Sequence, residues 1–203
     1  MLLRTLSIAL GAMIMAYAQG SAQQHRWTIG LDVGRTHYGG TSRDTASGDD
    51  QAFRPANSTV WNLHASRRMG SFALGLIGSY GTAGFALDGP ELLLVDRTTG
   101  FTFYELAPVI VIPLTGMGND GLLALTGGPV VALWSLTDQP DRTRLGARLG
   151  LSLPVWFGQT LGGMVSLDGV VTPSVFEDGE LPEDFILPAT WRVQVSLGVL
   201  AGF

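Results

Sequence analysis

The chain has 203 residues, of which 46% are apolar and only 14% are charged, whereas soluble domains carry about 25% charged residues. A net charge of −5 excludes a basic surface for nucleic acid. The absence of cysteine excludes disulfides and thiolate metal sites. The length suits one domain with a sizeable core.

The first 22 residues have the pattern of a cleavable secretory signal. Arg4 precedes the apolar stretch "TLSIALGAMIMA", and small residues follow, with candidate cleavage sites after Ala18 and after Ala22. The apolar stretch is shorter than the ~20 residues of a transmembrane helix. We therefore expect an exported chain in which residues 23–203 form a single domain.

Beyond the signal, the sequence shows no sustained helical periodicity. It shows segments of alternating apolar and polar residues, separated by turn residues, which is typical of β-strands. The first of them, "RWTIGLDVGRTHY", places Trp27, Ile29, Leu31 and Val33 on one face. The eight predicted strands are 26–38, 58–69, 72–87, 101–114, 122–136, 143–157, 164–176 and 190–203.

The connections between these strands alternate in character along the chain. Long polar connections, which hold most of the acidic residues, alternate with short turns. In an up-and-down meander the long connections lie at one end of the strands and the short ones at the other. The pattern predicts an all-β fold: one up-and-down antiparallel transmembrane β-barrel of eight strands, with short periplasmic turns and longer extracellular loops.

The sixth predicted strand indicates which face is the outer one. A soluble, lipocalin-like barrel would carry long charged residues outside, but the less apolar face here consists mainly of glycine, serine and arginine. Such residues suit the narrow interior of an eight-stranded barrel. We therefore expect lipid to contact the apolar face, which comprises Leu145, Ala147, Leu149, Leu151, Leu153, Val155 and Phe157.

Aromatic residues cluster near the ends of the predicted strands. Aromatic girdles at both membrane interfaces are typical of transmembrane barrels. The sequence predicts a short-turn girdle of Trp27, Phe72, Phe157 and Phe203, and a long-loop girdle of Trp61, Phe101, Trp134, Phe176 and Trp191.

Several charged residues share the parity of the inward face. A buried charge without a partner costs several kcal/mol, so we expect ion pairs inside the barrel. A proton or ion path is the alternative, because intramembrane ionisable residues can be functional. The predicted lumenal network comprises Asp32, Glu105, Arg148, Asp168 and Arg192, with His64 as a further candidate member.

Prolines weaken the pattern in the predicted strands, because each proline removes a ladder hydrogen bond. The fourth and fifth strands also alternate poorly, so their registers are the least defined. Bulges would absorb these irregularities. The prolines concerned are Pro108, Pro113, Pro129 and Pro154.

The closing stretch "TWRVQVSLGVLAGF" carries a resemblance to a known class. The chain resembles the small eight-stranded outer-membrane β-barrel proteins of Gram-negative-type bacteria, the OmpA/OmpX-like class, in architecture more than in any motif. In that class the barrel-assembly machinery reads the terminal strand, so the resemblance implies this machinery as a partner. The implied insertion signal comprises Phe203, Ala201, Val199, Leu197 and Val195.

One pair of residues raises the possibility of catalysis. His64 and Ser66 share a strand face and are weak candidates for a His-x-Ser pair, similar to that of the lipid A deacylases, which are also eight-stranded barrels. The pair needs an orienting acid and a hydroxyl close to the base. It lies near the short-turn rim, whereas outer-leaflet lipid A lies at the other end of the barrel.

The acidic loops are a second candidate site, since several carboxylates can collect Ca²⁺ or Mg²⁺. No segment has the spacing of an EF-hand, and solvation of the loops is the favoured explanation of these acids. We predict no metal site and no cofactor.

Three classes of function remain for such a chain. The first is an outer-membrane barrel with a structural or surface-interaction role, of which a narrow porin-like channel is a variant. The second is a lipid-modifying outer-membrane enzyme, and the third is a soluble lipocalin-like binder. The expected partners are outer-membrane lipid and lipopolysaccharide, and the sequence does not identify an extracellular ligand.

Overall fold

A computed structural model of the chain describes residues 25–40, 43–44, 51–88, 93–114, 123–136, 140–177 and 185–203. The predicted signal segment and its cleavage sites lie outside these ranges, as do most of the acidic residues of the long connections. Within the described ranges the secondary structure is β-strand and turn, and no helix long and apolar enough to cross a membrane occurs there.

Eight long strands form the main body of the protein. Their bounds are β1 Trp27–Gly39, β4 Thr59–Met69, β5 Phe72–Asp88, β6 Leu93–Pro113, β7 Ala124–Leu136, β8 Arg142–Trp156, β9 Leu161–Thr172 and β11 Thr190–Gly202. Three short strands lie between them: β2 Arg43–Asp44, β3 Gln51–Pro55 and β10 Phe185–Ile186.

The long strands close into a barrel. Each pairs antiparallel with the long strands next to it in the chain, β1 also pairs with β11, and β5 and β6 complete the ring. Closure leaves the wall without a free edge, so every strand of the wall has a partner on both sides. The predicted eight-stranded, up-and-down antiparallel barrel is confirmed.

The short turns follow from local sequence. Met69 pairs with Phe72, so Gly70 and Ser71 form a two-residue hairpin loop. Gly70 has φ +77°, a conformation that glycine adopts without steric penalty. Phe157 donates its backbone N–H to the carbonyl of Leu161 and closes the turn between β8 and β9.

The prolines of the fourth and fifth predicted strands act differently from expectation. The pairing of β6 and β7 is interrupted between Leu106–Val131 and Ile110–Gly127, around Pro108 and Pro129, and it resumes in the same register. A side chain at Gly128 would collide with the Pro108 carbonyl, so glycine allows the two backbones to approach there. The register shift lies instead between β5 and β6, at Gly84/Phe85.

The outer surface of the barrel is an apolar belt. Exposed and buried residues alternate along β1 and β11, and the exposed ones are those of the apolar stripe. On β8, Leu145 is 70% exposed. The opposite parity is buried and carries most of the polar residues of these strands. This is the reverse of a soluble barrel, in which apolar residues fill the interior.

The long-loop aromatic girdle was predicted in part wrongly. Trp61 and Trp191 are exposed, but Phe101, Trp134 and Phe176 are each at most 6% exposed. Phe101 has the same parity as Glu105, and both therefore face inward. All four predicted members of the short-turn girdle are exposed.

The long connections also contain more β-structure than their polar composition predicts. β3 pairs with the end of β5, β2 pairs with β3, and β10 pairs with β2. β6 begins at Leu93, eight residues before the predicted start at 101. The barrel wall is therefore extended on this side beyond the long-loop rim.

Candidate functional site: the lumen of the barrel

The charged side chains of the predicted lumenal network and their partners lie in three groups. The first group links the neighbouring strands β1 and β4 on the inner side of the wall. The buried carboxylate of Asp32 accepts hydrogen bonds from the Asn62 amide and from Nε2 of His64. Asp32 pairs with Asn62 in the strand register, so the contact follows from the pairing of β1 with β4. The His64 side chain is 18% exposed, whereas that of Asp32 is fully buried.

The second group crosses the lumen. Arg148 of β8 forms an ion pair with Asp168 of β9, with Nη2 and Oδ1 3.1 Å apart. Its Nη1 also donates to Oγ of Ser79 on β5, at 3.1 Å. The other oxygen of Asp168 accepts from Ser166 at 3.0 Å, and the hydroxyls of Ser166 and Ser196 are 2.6 Å apart.

The third group joins two strands on opposite sides of the barrel. Nη2 of Arg192 on β11 contacts Oε2 of Glu105 on β6, and both side chains are buried. The Arg192 guanidinium also lies over the Phe103 ring, 5.0 Å from its centroid. Charge pairing and a cation–π contact therefore act on the same arginine.

The structure thus brings each charged residue of the predicted lumenal network into contact with another member of that set. Sequence reasoning missed their neutral partners Asn62, Ser79, Ser166 and Ser196. Strand parity would have identified Asn62, Ser166 and Ser196, since each shares the parity of a predicted network member on its own strand, whereas Ser79 follows only from its pairing with Glu105.

A group of aromatic side chains lies in the lumen at the long-loop end. It includes residues of the wall, together with Phe176 from the connection after β9 and Phe53 of β3, and the buried Val175 packs with it. The Phe101 and Trp134 rings are 5.0 Å apart, and the Phe85 and Phe176 rings are 5.7 Å apart. We call the following residues the aromatic cluster: Phe53, Phe85, Phe101, Phe103, Trp134 and Phe176.

Apolar side chains also occupy the lumen beside the polar groups. A second buried cluster, on β5, β6, β7 and β9, comprises Ile77, Ala107, Val109, Val130 and Val170. At the short-turn mouth the His25 and Trp156 rings lie 4.4 Å apart. Polar and apolar groups therefore share the interior.

The candidate catalytic pair has one of the contacts that catalysis requires. His64 contacts an acid, Asp32, as a catalytic base would contact its orienting residue. Ser66 makes no hydrogen bond to His64 within the described part of the chain, where it instead pairs by register with Thr28 and Gly75. The described geometry lacks the contact between hydroxyl and base that activates a serine nucleophile.

The residues of the implied insertion signal lie on the outer face of β11 or next to it. Val195, Leu197, Val199 and Phe203 are exposed, and Ala201 is half-buried. No cluster of three or more metal-ligating side chains occurs among the described residues.

Comparisons with known proteins show the fold. The structure is similar to the outer membrane protein OprG from Pseudomonas aeruginosa, with a TM-score of 0.59 and 10% identity over 90% of this chain and 99% of that one. It is also similar to neisserial surface protein A (NspA), with a TM-score of 0.53 and 10% identity over 87% of this chain and 97% of that one.

No protein-family model and no curated protein sequence matches the chain. The predicted likeness to the small eight-stranded outer-membrane barrels is confirmed at the level of fold.

Proposed function

We propose that the chain is an integral outer-membrane β-barrel with a structural or surface-interaction role, whose lumen is closed by its own side chains. The observation that carries this proposal is the apolar belt on the outside of a closed barrel. Exposed apolar area of this extent is unfavourable in water, but it matches the hydrocarbon layer of a bilayer. The fold of OprG and NspA supports the same location.

Side chains at both the long-loop end and the middle of the barrel support a closed lumen. The aromatic cluster occupies the long-loop end. The three polar groups and the second apolar cluster share the interior beyond it, and Ile77 of that cluster lies in register with His64. An eight-stranded barrel is just wide enough for its own side chains. The protein therefore acts through its surface rather than as an open porin-like channel.

The proposed orientation places the long connections outside the cell, as in outer-membrane barrels generally. The acidic residues of those connections would then present a negative surface to extracellular partners. Lipopolysaccharide and outer-membrane lipid would surround the belt, and the barrel-assembly machinery would recognise the outward residues of β11 with Phe203 during insertion.

Membrane location is tested by gel mobility. The full chain is expressed in a Gram-negative host, and outer membranes are run in SDS with and without boiling. A closed barrel resists cold SDS, so the unboiled and boiled forms should migrate differently. A single band from a soluble periplasmic pool would contradict the proposal and favour a lipocalin-like binder.

Closure of the lumen is tested separately in planar bilayers. The reconstituted barrel should show no stable ion conductance. Insertion is verified in the same preparation by resistance to cold SDS, so that a failed reconstitution is not mistaken for a closed lumen. Discrete conductance steps from inserted protein would show an open channel and overturn this part of the proposal.

An enzymatic role is tested with one variant. Because Ser66 has no hydrogen bond to His64 among the described residues, Ser66→Ala should leave the lipid A profile of the host unchanged relative to the wild-type barrel. A difference in lipid A acylation between the two strains would favour the deacylase-like alternative.

A further inference from the structure

An arginine lies on the outer wall of the barrel at its short-turn rim. Arg67 belongs to the lipid-facing parity of β4 and pairs by register with Trp27 of β1 and with Leu74 of β5. Its guanidinium carbon lies 5.5 Å from the centroid of the Trp27 ring. Trp27 and Leu74 are both exposed on the belt. The arginine is thus held between two apolar side chains where the belt ends.

Two further arginines lie beside Arg67 at the same rim. Arg68 follows it directly, and the backbone N–H of Arg68 donates to the carbonyl of Arg26 at 3.0 Å. Arg26 and Arg68 belong to the lumen-facing parity, at the mouth of the barrel. Three positive charges therefore lie within two adjacent strand ends.

Arg67 has no carboxylate side chain as a partner within the described part of the chain. Its Nε has no hydrogen-bond partner there, and it forms no ion pair with a described residue. The carboxylate side chains that the structure describes lie in the lumen or toward the long loops: Asp32, Glu105, Asp141, Asp168 and Glu177. Arg67 is therefore a cation beside an apolar belt that these acids do not neutralise.

We propose that Arg67, with its guanidinium over Trp27, binds the phosphate of an anionic phospholipid in the bilayer leaflet at the short-turn rim. Tryptophan is favoured at the depth of the lipid headgroups, and an arginine fork matches a phosphate bidentately. Leu74 and the exposed Met69 and Phe72 provide apolar surface for the acyl chains. Arg26 at the adjacent end of β1 adds to the local positive potential, which attracts anionic lipid.

The inference rests on the proposed membrane location, so that location is measured first. Wild type and each variant are inserted into vesicles of equal parts phosphatidylethanolamine and phosphatidylglycerol, and resistance to cold SDS is recorded. A wild-type chain that fails to insert contradicts the proposed function. An inserted wild-type chain that retains no phosphatidylglycerol contradicts the present inference alone.

The test is the amount of phosphatidylglycerol that remains bound to the detergent-extracted barrel, titrated by native mass spectrometry. Arg67→Gln should weaken the apparent affinity about fivefold, the effect expected for one arginine at an anionic surface. Arg67→Lys keeps the charge and should retain part of the affinity. Arg35→Gln is the matched control, because Arg35 likewise has the outward parity of its strand, but it lies near the long loops on β1, where it donates to Thr59.

Several outcomes would overturn the assignment. Equal affinity in wild type and Arg67→Gln would show that the arginine does not hold the lipid, and an equal loss in Arg35→Gln would show a nonspecific charge effect. Displacement of the lipid by inorganic phosphate would indicate a site for a soluble anion. If Arg67→Gln fails to insert, Arg67→Lys replaces it: an affinity below that of wild type supports the guanidinium contact, and an affinity equal to that of wild type overturns it.

Discussion

At the scale of single residues, the lumen contains charged side chains that are almost completely buried. Arg148 and Asp168 are both buried, and their contact is supported by Ser79 and Ser166. Removing one partner of a buried ion pair leaves the other charge uncompensated, which costs about 3–5 kcal/mol. Replacing both partners by apolar residues removes the desolvation cost of both charges. A single substitution in the pair should therefore destabilise the barrel more than the double substitution.

We expect Arg148→Met to lower the free energy of unfolding by about 3–5 kcal/mol, because it leaves the Asp168 carboxylate buried without its cation. The double variant Arg148→Met/Asp168→Leu should recover most of this loss. Urea unfolding of the barrel in vesicles, followed by tryptophan fluorescence, measures both. Unchanged urea resistance of Arg148→Met would show that the ion pair does not contribute to stability.

Two glycines of β5 provide a matched pair for the packing of the barrel wall. A Cβ at Gly81 would lie 2.6 and 2.7 Å from two ring atoms of Phe103 and 3.1 Å from Val60. A Cβ at Gly78 would meet nothing within 4 Å. Phe103 is fully buried in the aromatic cluster and has little room to move. Gly81 is therefore the position at which a methyl group overpacks the core.

We expect Gly81→Ala to destabilise the barrel by about 1–3 kcal/mol, the usual cost of overpacking a core. Gly78→Ala should change the free energy of unfolding by less than about 1 kcal/mol, because its methyl group meets open space. The same urea titration compares the two. Equal stability of the two variants would indicate that Phe103 can shift away from β5.

At the scale of elements, the aromatic cluster connects the barrel wall to the structure beyond the rim. Phe53 lies on β3, whereas Phe176 lies in the connection after β9, and both contact the ring of Phe85 on β5. Arg142 supports the same connection, because its Nη1 donates to the carbonyl of Val175 at 2.6 Å. The segment that follows β9 is thus anchored into the lumen by packing and by a charge-assisted hydrogen bond.

We expect Phe176→Ala to cost about 3–5 kcal/mol, as for other deletions of a buried phenylalanine ring. Phe157→Ala is the control, because Phe157 is 69% exposed in a short turn and its loss should have a much smaller effect. Thermal unfolding in detergent measures both variants. Similar midpoints for the two would mean that the cluster packs loosely around Phe176.

The elements also show which features of the chain a strand pattern can predict. The eight long strands and the outward face of β8 follow from alternation along each segment, because side chains on a strand point to opposite sides in turn. The same rule places Phe101 inside, once Glu105 is assigned inward. The rim strands β2, β3 and β10 carry no such pattern, since each is too short to show a period.

At the scale of the whole molecule, the barrel has two different ends. The short-turn rim carries Arg26, Arg67 and Arg68, whereas the long connections hold most of the acidic residues. The ends therefore differ in charge and can be distinguished chemically. The chain has no cysteine, so a single introduced cysteine would be the only thiol in the protein.

We expect Asp141→Cys, near the long-loop rim, to react with a membrane-impermeant maleimide on intact cells. Gln159→Cys, in the turn between β8 and β9, should react only after the outer membrane is permeabilised. Both positions are exposed, so access alone decides the result. The cysteine-free wild type is the background control, and the opposite labelling pattern would show that the proposed orientation is inverted.

The sequence by itself determined the number of long strands, their antiparallel up-and-down order and the face that is apolar. These are local properties, because parity and turn chemistry are set by neighbouring residues. It also predicted which charged residues face the lumen, since their parity is opposite to that of the apolar stripe.

Only the tertiary structure decided which of those charges meet. Glu105 and Arg192 are 87 residues apart and contact each other across the lumen, and Arg148 reaches Ser79 over 69 residues. The aromatic cluster, likewise, draws its members from the wall, from β3 and from the connection after β9. Contacts across a lumen depend on the closure and stagger of the whole barrel, which no single strand encodes.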